Sequence, residues 1–246
     1  MRHILPAFAV GLALWFCASP RDAIAAPGPA DGVDGPQVAR GELTLHLGFA
    51  RLLTRRSEAD DVLNTEIGYD FSNRFRLTAS SDIGNVSHAP FVATTTVEAL
   101  YDIGRIAGVQ TAFRLGYNHA WREHDDSVEL TALLTKIKGP FEGRLNLVAQ
   151  QGLTGPREAD LGYAVLAVVR TTENLQLGVK ALGGLAATHG FGGKAEYFGP
   201  SAVVTVPVPR AGGQVRIEAA YLVASGVPRD DPTGLWSLVA QWERVF

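Results

Sequence analysis

From Gly41 to Phe246 the apolar side chains fall at every second position, in segments of about a dozen residues separated by polar, Gly- and Pro-containing breaks. That is the β-strand period, because successive side chains of an extended chain point to opposite faces. In the first segment Leu43, Leu45, Leu47 and Phe49 share one face, while Glu42, Thr44, His46 and Gly48 share the other. Likewise Leu63, Thr65, Ile67 and Tyr69 oppose Asn64, Glu66, Gly68 and Asp70, and Val109, Thr111, Phe113 and Leu115 oppose Gln110, Ala112, Arg114 and Gly116. Twelve such segments are expected, at 41–53, 62–72, 73–83, 91–102, 107–120, 126–138, 140–151, 159–171, 173–184, 195–208, 213–225 and 235–246. Each could cross a membrane at a barrel tilt, which takes about 9 to 11 residues.

The first 25 residues have a different character. A short basic start, Met1-Arg2-His3, an apolar stretch from Ile4 to Cys17 broken by Pro6, and Ala23-Ile24-Ala25 form a secretory signal with an A-x-A cleavage pattern. The expected mature chain begins at Ala26. Trp15 and Phe16 stand before Cys17 where a lipoprotein would need small residues. Cleavage removes Cys17, the only cysteine, so no disulfide or thiolate remains, which suits an oxidising compartment. It also removes Arg2, Arg21 and Asp22, taking the formal charge from −3 to −4, and nothing here makes a basic face for nucleic acid. Residues 26–40, rich in Pro and Gly and without periodicity, read as a flexible periplasmic leader.

The connections between segments alternate in length. Phe71-Ser72-Asn73, Ile103 to Ala107, Lys138-Gly139-Pro140, Thr171-Thr172-Glu173 and Pro209 to Gly213 are tight. Those between them, such as Thr54 to Asp61, Gly184 to Lys194 and Gly226 to Gly234, are longer and more polar; Trp121 to Asp125 is the brief exception. Even strand parity and alternating turns and loops suit an antiparallel barrel with both ends on one side.

The last segment runs from Trp236 through Trp242 to a C-terminal Phe246. It resembles the closing strand of bacterial outer-membrane β-barrels. The resemblance covers residues 41–246 and is to the general class of small porin-like barrels and putative transporters. It implies that Trp242 and Phe246 carry the signal read by the barrel assembly machinery, and that this strand pairs with the first. The fold expected is therefore all-β, an antiparallel up-and-down transmembrane barrel of about 12 strands spanning residues 41–246. Twelve strands enclose a lumen too wide for a modest set of Leu and Val to fill, so the apolar face is assigned to lipid. Phe71, Phe75, Tyr101, Phe141, Trp242 and Phe246 then form one aromatic girdle, and Phe49, Tyr117, Tyr163, Tyr221 and Trp236 the other. Lys136 and Arg244 fall on the lipid face near a rim, where basic side chains reach headgroups, and Arg51 could reach lipopolysaccharide phosphates. Pro200 and Pro207 predict irregular pairing in the tenth segment.

The lumen is expected to carry Glu42, Glu66, Asp70, Asp82, Glu98, Glu129, Glu142, Glu218 and Glu243, with Arg74, Arg76, Arg114, Arg144, Arg170, Lys180, Arg216 and the neutral His46. Such a mixture can pair across strands, Arg74 and Arg76 with Glu66, Asp70 and Glu98, and seal the barrel. Alternatively, acids and bases on opposite walls can orient a small polar solute in a water-filled channel.

Catalytic patterns are weak. His119, His124, Asp125, Asp126 and Ser127 cluster at one outer connection, with His88 and His189 on others, but their spacing specifies no nucleophile–base pair. The acidic pairs Asp60-Asp61, Asp125-Asp126 and Asp230-Asp231 could bridge divalent cations to lipopolysaccharide, though solvated loops explain them as well. No cofactor and no metal site is expected. The reading is of a non-enzymatic outer-membrane barrel, a passive channel or transporter for small polar solutes, with lipid, lipopolysaccharide and the assembly machinery as partners. The alternatives are an accessory barrel with a charge-plugged lumen and an outer-rim hydrolase.

Overall fold

The computed structural model describes residues 30, 32–53, 60–84, 89–121, 126–153, 159–187, 190–191, 196–208, 213–225 and 233–246. The strands are β1 (Glu42–Leu53), β2 (Asp60–Asp70), β3 (Phe75–Gly84), β4 (Phe91–Ile106), β5 (Val109–Ala120), β6 (Ser127–Lys138), β7 (Phe141–Gly152), β8 (Ala159–Arg170), β9 (Leu175–Ala187), β10 (Gly190–Phe191), β11 (Glu196–Pro207), β12 (Gln214–Ser225) and β13 (Gly234–Val245). Twelve are long; β10 is a two-residue piece folded back on β9. Each long strand pairs antiparallel with the next, and β13 returns to β1 from Glu42↔Val245 to Leu53↔Gly234. The sheet is therefore a closed up-and-down barrel without a free edge, the closure expected of the terminal strand.

The tight connections lie at the end that also holds Gly41 and Phe246, here called the turn rim. At this rim β4 runs past its expected end to a two-residue turn, Ala107-Gly108. Both residues have positive φ, 51° and 80°, as a two-residue hairpin turn that follows strand twist requires. A register shift between Asp102 and Gly104 absorbs the extra residue. The connections at the opposite, loop rim lie largely outside the described residues. In β11, Gly199 and Pro200 pair with β9 but have no ladder partner on β12, and the register resumes unshifted at Ser201↔Ala220. A Cβ at Gly199 would collide with the Tyr221 carbonyl, so the two strands can approach here only with glycine.

The outer surface is an apolar belt. Leu45, Leu47, Ile67, Val97, Leu115, Val179 and Leu238, from six strands around the barrel, are each 42–57% exposed. An apolar surface of this extent is stable only against lipid or another apolar medium.

The inner face divides in two. Strands β2 to β7 present mainly polar and charged groups. From β8 around to β1 the inward positions Ala164, Leu166, Val168, Leu182, Val203, Ala220, Leu222, Leu235 and Ala50 form a buried cluster, with Ala30 and Val33 packed into it. This corrects the expectation that Leu and Val are too few to fill the lumen. Around this cluster the strands are apolar on both faces, and Ala30 and Val33 complete the packing.

Candidate functional site in the barrel lumen

Residues 26–40 were expected below the barrel as a leader. The described part, Ala30 and residues 32–40, has no strand, yet lies within the barrel. Gly41 anchors it at the turn rim: its N–H donates to the Asp70 carbonyl at 2.8 Å, and its carbonyl accepts from Phe246 N–H at 3.0 Å. Ala39 N–H donates to Asp70 Oδ2 at 2.7 Å and Arg40 N–H to Asn73 Oδ1 at 3.2 Å. Deeper in, Val38 packs on Leu100, Ala112 and Leu133. Asp34 accepts from Arg114 Nη1 at 2.8 Å, and the Val33 carbonyl accepts from Arg144 Nη1 at 3.1 Å. The Asn146 amide, oriented to satisfy both groups, donates to the Asp34 carbonyl at 3.2 Å and accepts from its N–H at 3.1 Å. Val33 is 2% exposed. A Cβ at Gly48 would strike the Ala30 carbonyl, so the wall of β1 leaves room for the segment by lacking a side chain there.

Charged groups around the segment are mostly paired. Arg76 donates to both Asp70 oxygens and to Glu42 Oε1, the latter at 2.9 Å. Arg114 also approaches Glu98 at 3.4 Å and Glu129 at 3.7 Å. Glu142 accepts from Arg144 at 2.6 Å and from Gln176 at 3.1 Å. Lys180, 1% exposed, reaches over β11 to Glu218 on β12 at 2.9 Å. His46 stands 3.7 Å from Glu66, and Gln214 and Gln241 both donate to Glu243. Asp34 is partly shielded from water inside the barrel, which alone would raise its pKa; the charges of Arg114, His46 and Arg144 prevail and hold its carboxyl below the ordinary carboxylate range.

The structure thus brings Glu42, Asp70 and Arg76 into one cluster and Glu98, Arg114 and Glu129 into another, with Asp34 joining the second. Arg74 differs: it lies exposed in the β2–β3 turn, and Arg76 pairs with Asp70 and Glu42 rather than with Glu66 or Glu98. Arg170, at the end of β8, is exposed at the turn rim. Asp34, Val33 and Asn146 were not anticipated. Their signal was slight: two apolar residues and an acid inside a Pro/Gly segment.

Between the segment and the wall a cavity of about 470 Å³ reaches the turn rim. Glu42, Glu66 and Glu98 line it together with Arg76 and Arg114, and Arg144, Arg170 and Arg216 line it together with Glu142, Glu173 and Glu243.

At the loop rim, Ser127 accepts from Gln150 at 2.8 Å and from Asn118 at 3.2 Å. His119 instead meets Asp126 at 2.9 Å, and Tyr117 donates to the same carboxylate at 2.6 Å. These hydrogen bonds hold Asp126 below the usual carboxylate range, the Tyr117 bond most of all. Arg51 binds Asp61 at 2.9 and 3.3 Å. His88, His124, His189, Asp125, Asp230 and Asp231 lie outside the described residues, and no group of three potential metal ligands occurs among those described.

No protein-family model matches the chain, and no curated protein matches it in sequence. Solved structures do match. The COG4313 outer membrane channel from Pseudomonas putida F1 aligns at 14% identity and a TM-score of 0.61, over 88% of this chain and 99% of that one. The NanC porin aligns at 9% identity and a TM-score of 0.56, over 83% and 99% respectively. The class is defined at this level: a closed twelve-stranded antiparallel barrel with the fold of outer-membrane channels and porins.

Proposed function

We propose that this protein is a passive outer-membrane channel for small polar solutes, whose lumen is closed at rest by Ala30 and residues 32–40. The apolar belt, the even strand parity and the structural neighbours support an outer-membrane location, with lipid and lipopolysaccharide around the barrel. Trp242 and Phe246 would serve the assembly machinery. The observation that carries the channel reading is the way the segment is held. Among the described residues it joins no β-ladder, and its contacts there are a few hydrogen bonds, one ion pair and three small apolar side chains. A closure of that kind is removable without unfolding the barrel.

The buried inner cluster favours a second reading, an accessory barrel sealed for good. Planar-bilayer recording separates the two. The mature chain should show rare openings, and a variant lacking residues 26–38 should show steady conductance. If the shortened variant folds, judged by heat-modifiable gel mobility, and conducts nothing, the channel reading fails and the sealed barrel stands.

A further inference from the structure

Arg144 on β7 and Arg216 on β12 both line the cavity, and both also line the small void that Val33 and Asp34 border. The two guanidinium charges oppose each other. Such a pair is normally relieved by carboxylates, and three lie near Arg216: Glu142, Glu218 and Glu243. Each is already engaged. Glu142 is held by Arg144 and Gln176, Glu218 by Lys180, and Glu243 by Gln214 and Gln241. Arg216 makes no ion pair among the described residues, and its Nη2 is buried without a hydrogen-bond partner. A buried donor of this kind destabilises the closed state, the more so when it is charged. Arg144 meanwhile spends one donor on a neutral acceptor, the Val33 carbonyl, 3.1 Å away.

We propose that Arg144 and Arg216 form a binding site for the carboxylate of a small organic monoanion. Two guanidiniums lining one cavity offer the forked donors that match a carboxylate. The lining limits the ligand's charge. Around the cavity seven carboxylates outnumber five arginines, Arg76 and Arg114 among them, so a dianion is disfavoured and hydroxyl donors on the ligand's far end find acceptors. A hydroxy acid of a few carbons fits the 470 Å³ available. In the closed barrel the Val33 carbonyl stands in for such a ligand at Arg144 Nη1, and the Asp34 carboxylate, bonded to Arg114, also feels the Arg144 charge. The inference rests on the channel reading for the route by which solute arrives.

The test is isothermal calorimetry on the mature protein in detergent, with glycerate as probe and glycerol as its uncharged counterpart. Glycerate should bind measurably and glycerol should not. Arg216→Gln should weaken glycerate binding at least tenfold while retaining heat-modifiable mobility, and Arg216→Lys should lose less. Equal binding of glycerol, no binding of glycerate, or unchanged binding in a folded Arg216→Gln protein would each overturn the site. Bilayer recording keeps the two readings apart. Conductance without glycerate binding removes the site and leaves the channel; glycerate binding without conductance in the shortened variant does the reverse.

Discussion

Asp34 and Arg114, eighty positions apart in the chain, meet at 2.8 Å inside the barrel. The pair ties a segment without regular structure to the middle of β5. Hydrogen bonds between charged groups are worth about 1.5–3 kcal/mol. Asp34→Asn removes the charge while keeping the size. It should raise the open fraction in bilayer recordings roughly tenfold or more, with barrel stability little changed. Equal closure in both proteins would show that the pair does not hold the segment.

The same carboxyl sets a pH dependence. Its value in the folded protein lies below that of the released segment, so its contribution to closure is complete above the ordinary carboxylate value of about 3.9 and is lost as pH falls through the lowered folded value. Closure through Asp34 should therefore hold from pH 8 down to about 4 and fail only in stronger acid. Amide exchange of Ala39 and neighbouring residues, followed from about pH 7 to about 3, reports it. An acid step that persists in Asp34→Asn would assign it to other groups.

Gly48 gives a steric test. A valine there would occupy the space of the Ala30 carbonyl on a strand otherwise suited to β-branched residues. Gly48→Val should expel the deep end of the segment and increase conductance without loss of heat-modifiable mobility. Unaltered closure would mean that the segment is held lower, at Ala39 and Arg40.

Lys180 and Glu218 are both almost fully buried. Removing one partner strands a charge, at about 3–5 kcal/mol, whereas replacing both with apolar residues is often neutral. Lys180→Met should lower the temperature of the heat-induced gel shift markedly, and Lys180→Met with Glu218→Leu should recover most of it.

Phe246 packs beneath the Arg244 guanidinium, whose carbon lies 4.6 Å from the ring centroid, and its N–H closes onto Gly41. Deleting Phe246 should reduce the fraction of folded barrel in outer-membrane preparations. Full assembly without it would remove its role as a signal.

The barrel was legible because its rule is local. Alternation at Leu43 to Phe49 or Val109 to Leu115 reports which side of a strand is wet, and most expected strand ends fell within two residues of those found. The turn at Ala107-Gly108 was missed because a bulge lengthened β4, and a bulge leaves no mark in the period. The inner half-core was harder to read. Leu166, Leu182 and Leu222 lie on faces expected to be polar, and alternation is silent where both faces are apolar. Pairing partners such as Glu42 for Arg76 follow from how close the walls come, which no single strand encodes. The inserted segment has no period at all; what places Asp34 is a guanidinium reached only after the sheet has curled shut.

Closure of the seam and occupation of the lumen are separate events in this architecture. Twelve residue pairs join β1 to β13, and none involves the chain before Glu42. Residues 32–39 can leave through the turn rim about Gly41, whose φ of 80° already marks the bend, and break no rung of the sheet. Whatever passes through this barrel would thus wait on the movement of a single tethered strand-less end, a latch with its hinge at the rim, and never on the staves themselves.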